Sequence, residues 1–151
     1  MTRILVDGDA CPVKDEVYRV ALRHDLKVYV VSSGPLRVPA RGRVEHVRVR
    51  PGLDSADDWI VEHAVPQDVV VTADIPLAAR CLKNGARVIA PDGAVFHEGS
   101  IGDALASREL LDQLRQMGVP TSGPAPFVAA DRARFVAQLG RTIEALRREP
   151  A

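Results

Sequence analysis

The stretch Ile4-Leu5-Val6-Asp7-Gly8-Asp9-Ala10-Cys11-Pro12 decides how this chain is read. Ile4, Leu5 and Val6 are apolar and mostly β-branched, so they read as a buried strand. The run ends in two carboxylates around a glycine. Pro12 then suits the first position of a helix, where the missing N–H costs nothing. A buried strand that delivers two acids to its carboxyl end needs something to meet them, and the rest of the chain is read for that partner.

Working outward, the 151 residues suit one domain over 1–151, with an α/β core over 1–95 and a helical part over 96–151. Apolar residues make up 46% and charged residues 26%, ordinary for a globular protein. The formal net charge is zero, so no overall basic field draws the chain to nucleic acid, although a local patch could suffice. The two cysteines, Cys11 and Cys81, form no CxxC or Cys/His cluster, which argues against structural zinc. The amino terminus reads as no leader and no apolar run approaches membrane-spanning length, so a cytoplasmic protein with no membrane contact is expected.

Along the chain, residues 4–7 form the first strand and 12–24 a helix with Val13, Val17, Val20, Ala21 and Leu22 on its apolar face. Residues 26–32 form the second strand, closed by Ser33-Gly34-Pro35. Residues 44–49 alternate apolar with polar and read as a third, edge strand. Ser55 can cap a short helix running to about Ala64, with Asp58 as its capping-box partner. Residues 69–72 form a fourth strand. Asp74 caps the next helix, with Pro76 in its first turn, and Asn84-Gly85 ends it. Residues 88–90 form a fifth strand, closed by Pro91-Asp92-Gly93. Beyond residue 95 come a helix over 100–117, a Gly/Pro-rich connection over 121–126 and a last helix with Val136, Leu139, Ile143 and Leu146 on one stripe. These two helices pack on the sheet or on a second subunit, which leaves a homodimer open. Alternating strands and helices predict an α/β fold with a five-stranded, mainly parallel sheet.

In such sheets ligands bind at the carboxyl ends of the strands, where strand order reverses. For the order 3-2-1-4-5 the reversal lies between strands one and four, so Asp7 and Asp74 face each other. Asp57 falls on the sheet-facing side of its helix with Ala56, Ile60, Val61 and Ala64, whereas Asp58 points away near Glu62. Asp9 and Asp92 lie on loops at the same end. At 4 Å and an effective dielectric of 20, each pair of carboxylates repels by about 4 kcal/mol. Either one acid keeps its proton or a cation binds. Oxygen-only ligands suit Mg²⁺ or Mn²⁺, held by Asp7, Asp9, Asp57 and Asp74. Taken singly, Asp74 also reads as a helix cap, Asp57 as a first-turn acid and Asp92 as a turn residue.

The stretches VDGDACPVK (6–14), DSADDWIVEHA (54–64) and VVVTADIPLAARCLKNGARVIAPDG (69–93) resemble the YaiI/YqxD family of bacterial proteins, over nearly the whole chain. That family in turn resembles PIN-like nucleases, above all the NYN branch. The resemblance implies a PIN-like three-layer sandwich with two extra C-terminal helices. It also implies acids at the end of strand one, at the start of a mid-chain helix and after strand four, which fall on Asp7, Asp57 and Asp74. The late acid of PIN domains has only Asp92 as a candidate.

Several other residues could serve such a site. Lys14, in the first turn after Asp9, could reach a phosphate, or be a solvated helix lysine. Ser32 and Ser33 could bind substrate, or form a strand-end turn. Arg37, Arg41, Arg43, Arg48 and Arg50 form the one basic concentration, a phosphate track or a solvated edge. Cys11 reads as packing rather than as a nucleophile, and Trp59 as core rather than as a base-stacking platform. Three functions follow. The first is a Mg²⁺- or Mn²⁺-dependent nuclease acting on RNA through Asp7, Asp57 and Asp74. The second is a haloacid-dehalogenase-type phosphatase using Asp7 and Asp9. The third is a non-catalytic module that binds RNA or protein.

Overall fold

The computed structural model describes residues 1–52, 54–121 and 126–149. Its elements in chain order are β1 (Arg3–Asp7), α1 (Lys14–His24), β2 (Lys27–Ser32), β3 (Arg43–Arg48), α2 (Ser55–His63) and β4 (Val69–Val71). There follow α3 (Ile75–Lys83), β5 (Arg87–Ile89), β6 (Val95–Phe96), α4 (Glu98–Gln116) and α5 (Ala129–Arg148). The sheet has the order β3-β2-β1-β4-β5-β6. Strands β1 to β5 pair in parallel and β6 runs antiparallel on β5. The expectation of five strands is therefore corrected to six, in a mixed sheet. The Pro91-Asp92-Gly93 turn sends the chain back along β5, and two residues are too few to announce a strand by alternation.

Strand alternation divides the core into two layers. Ile4, Val6, Val28, Val30, Val69, Val71 and Ile89 face α1 and α5. Leu5, Val31, Val70 and Val88 face Ile60 of α2 and Leu77, Ala78, Cys81 and Leu82 of α3. The placement follows from right-handed crossovers. From β1 the chain steps one way to β2, which puts α1 on one face. From β3 through β4 to β5 it steps the other way, which puts α2 and α3 on the opposite face. The α1 face would stay half open without α5. Its stripe of Phe135, Leu139, Ile143 and Leu146 is buried there, with Val136 partly buried beside it. Helix α4 lies against α3 and buries no residue completely, leaving Leu110, Leu111 and Met117 exposed.

Two helix starts differ from the sequence reading. Pro12 does not open α1. Gly8–Ala10 forms a 3₁₀ turn, and the α-helix begins at Lys14 with Val13 at its N-cap. Ser55 is not a cap either: Asp54, at φ 64°, occupies that position, and Asp58 reaches Arg80 instead of closing a capping box. Asp74 does cap α3, accepting from Leu77 N at 3.0 Å, and Asn84 is the C-cap with Gly85 at φ 83°. The expected connection over 121–126 lies mostly outside the described residues.

Candidate active site

The reversal of strand order between β1 and β4 puts three chain segments at one corner of the sheet. Strand parity sends Asp7, like Leu5, to the α2/α3 face. There Thr72, just past β4, donates from Oγ1 to Asp7 Oδ2 at 3.0 Å and accepts from Asp74 N at 3.0 Å. This relay fixes the end of β1 to the start of α3. Gly8 is required between the two acids. A Cβ there would stand 2.8 Å from Val30 Cγ1 and 3.0 Å from Val31 O, so only glycine lets the chain turn against β2.

The result is a cleft of about 230 Å³ lined by five carboxylates, Asp7, Asp9, Asp54, Asp57 and Asp74, together with Ser33. Four of these acids are sequence candidates. Asp54 was missed because its place before a capping-type serine read as a loop. The signal that could have found it is its type, since aspartate tolerates the left-handed backbone needed to enter α2. Asp9 Oδ2 lies 3.4 Å from Ser33 N, and Arg48, which is not itself among the cleft-lining residues, donates from Nε to Ser33 O at 3.3 Å.

Two of these carboxyls, Asp7 and Asp57, hold their protons more tightly than usual. Burial pushes the Asp7 carboxyl above its usual range; the Thr72 hydrogen bond opposes this, Asp74 and Asp9 add to it, and Lys14 opposes it. Burial, then Asp74, Asp7 and Asp54, raise Asp57 from 3.8 to about 6, with Arg80 acting the other way. The cleft is thus a site of excess negative charge with oxygen donors only, a donor set that fits a hard divalent cation. As oriented, the described His, Cys, Asp and Glu side chains form no group of three that could hold a metal ion. Asp7 turns to Thr72, Asp74 to Leu77 N and Asp9 to Ser33 N, each through one oxygen.

The other candidates are spread out. Lys14 does not line the cleft, although its charge acts on Asp7. Ser32 is not a cleft residue. It shares the parity of Val28 and Val30, is buried on the opposite face, and lies 2.7 Å from His46 Nε2 while donating to Gly34 O. Arg37 and Arg41 are exposed in the loop between β2 and β3 and do not line the cleft. Asp92 accepts from Ala94 N in a turn and lines a neighbouring cavity. Asp58 is exposed and paired with Arg80. Burial pushes the Cys11 thiol up, which suits packing rather than nucleophilic attack. Trp59 is partly buried and stacks on His63 at 3.8 Å between ring centroids.

The family model described as Uncharacterized BCR, YaiI/YqxD family, matches residues 5–145. A UPF0178 protein of Rhodopseudomonas palustris strain BisB18 is 52% identical over 97% of this chain and 95% of its own length. One from Rhodospirillum centenum is 53% identical over 98% of this chain and 99% of its own length. One from Bradyrhizobium diazoefficiens is 54% identical over 97% of this chain and 88% of its own length. No solved structure matches the chain.

Proposed function

The chain belongs to the YaiI/YqxD family, and on that premise we propose that it is a divalent-metal-dependent nuclease of PIN-like type acting on single-stranded RNA. One observation carries the reading: carboxylates from three separate segments line one cleft at the carboxyl ends of a parallel sheet. Asp7, Asp57 and Asp74, with Asp9, would hold Mg²⁺ or Mn²⁺. Such an ion polarises a phosphoryl oxygen and makes hydroxide available near neutral pH.

The chain's own residues do the rest. The Thr72 hydroxyl joins the Asp7 carboxylate to the backbone N–H of Asp74, which keeps the end of β1 beside the start of α3. The negative charge of the acids repels a phosphate that enters without a cation. Arg48, held by Ser33 O just outside the cleft lining, would take a backbone phosphate approaching the cleft. Asp57 lies outside the Asp7-Gly8-Asp9 motif and still shares its cleft, which favours metal-dependent hydrolysis over a phosphoaspartate mechanism.

The test is cleavage of a labelled single-stranded RNA by the purified protein with Mn²⁺. Cleavage that chelator abolishes and that Asp7→Asn lowers at least a hundredfold is expected. No cleavage by the wild type, or equal cleavage by Asp7→Asn, would reject the reading.

A further inference from the structure

A second cavity, of about 560 Å³, adjoins the acidic cleft. The two share Ala10 in their walls, and Ala73 of the second precedes Asp74 of the first. Its size lies within the range of about 300–1,000 Å³ typical of small-ligand sites. Its character is the reverse of its neighbour's. Pro12, Ile75, Pro91, Phe96 and Phe127 supply apolar and aromatic walls. The chain has three phenylalanines, and two of them are here; the third, Phe135, is in the core.

We infer that this cavity is a nucleobase subsite, which seats the base of a nucleotide whose phosphate lies at the acidic cleft. The inference rests on the nuclease reading for the phosphate and on this cavity alone for the base. A base has two flat apolar faces and a polar edge, and the walls match both. Phe127 is 37% exposed, so its ring is available to a ligand. It is also held in place. The Arg132 guanidinium lies 4.9 Å from its centroid, and Arg132 is itself tied to Pro12 O at 2.6 Å and Glu16 Oε1 at 3.2 Å. A ring fixed before binding loses little freedom when a base stacks on it. The polar part of the lining is Asp92 and Asp131, both acids. Acids repel a phosphate and accept from the amino group of a base edge, so the cavity selects base over backbone. Asp92 Oδ1 accepts from Ala94 N and Asp131 Oδ2 from Val128 N, each at 3.0 Å, while Asp131 Oδ1 is paired with Arg134, so Asp92 Oδ2 is the acceptor offered to a base edge.

Free cytidine, adenosine and guanosine are the probes, because a nucleoside has no phosphodiester and reports on the base alone. Titrated into the full chain and followed by methyl NMR, they are expected to shift Ile75 and Ala94 resonances saturably. Phe127→Ala is expected to weaken that binding about tenfold, the scale of losing one base–aromatic stack, and Phe127→Tyr to restore it. Absence of saturable shifts in the wild type, or unchanged binding in a folded Phe127→Ala, overturns the inference. The two readings separate cleanly. Nucleoside binding without RNA cleavage sinks the nuclease and spares the subsite. RNA cleavage with an unchanged KM in Phe127→Ala sinks the subsite and spares the nuclease.

Discussion

Replacing Asp57 by asparagine is expected to stabilise the protein near neutral pH, and to do so less as the pH falls. Burial first, then Asp74, Asp7 and Asp54, raise this carboxyl from 3.8 to about 6. The folded chain therefore holds the proton more tightly than the unfolded chain, and stability falls as the pH rises from about 4 through 6. At about 1.36 kcal/mol per tenfold change in proton affinity the full effect would be about 3 kcal/mol, which solvent screening of this partly buried group reduces to about 1 kcal/mol. Removing a negative charge from the first turn of α2 offsets about 0.3 kcal/mol of that. For a chain of this length the gain is a rise in Tm of about 2–3 °C. The assay is thermal unfolding by circular dichroism in chelator, near pH 7.5, 6 and 4.5, on wild type and Asp57→Asn. The variant should melt higher at pH 7.5, and the difference should shrink through pH 6 towards pH 4. Mn²⁺ should narrow the same gap by neutralising the wild-type cleft. A variant that melts lower at pH 7.5, or a difference that ignores pH, would refute the claim that the folded chain holds the Asp57 proton more tightly than the unfolded chain.

Other substitutions probe the elements that build the cleft. Gly8→Ala forces a Cβ against Val30 and Val31 O, and urea unfolding should show a loss of about 1–3 kcal/mol. Asp74→Ala removes the α3 cap and should cost about 1 kcal/mol. Asp74→Asn removes the same charge but keeps a capping side chain, so it should unfold at higher urea than Asp74→Ala. Phe135→Ala empties the centre of the α5 contact with the sheet and should cost about 3–5 kcal/mol by the same measurement.

Much of the architecture could be read from particular residues. Ile4-Leu5-Val6 and Val69-Val70-Val71 have no polar interruption, as strands covered on both faces should. Asp74 followed by Pro76 marked the start of α3 because a side-chain acceptor and a missing donor both suit that position. Asp7 and Asp74 were placed together by where strand order reverses, and Asp57 by the face it takes on its helix. What escaped was local. The Val95–Phe96 strand exists only by pairing with β5, and nothing in two residues signals that. Pro12 permits a helix start without requiring one, and the 3₁₀ turn at Gly8–Ala10 took up the chain instead. Ser32 was legible and misread. Counting alternation from Val28 and Val30 places it on the face opposite Asp7. The apolar cavity beside the cleft joins residues from four distant stretches of chain, so no local pattern announces it.

The most direct measurement is the anomalous signal from a crystal soaked in Mn²⁺. One strong peak among the carboxylates of Asp7, Asp57 and Asp74, absent in Asp7→Asn crystals soaked alike, is the predicted result. Manganese bound elsewhere on the surface, with no peak among those three side chains, would contradict it.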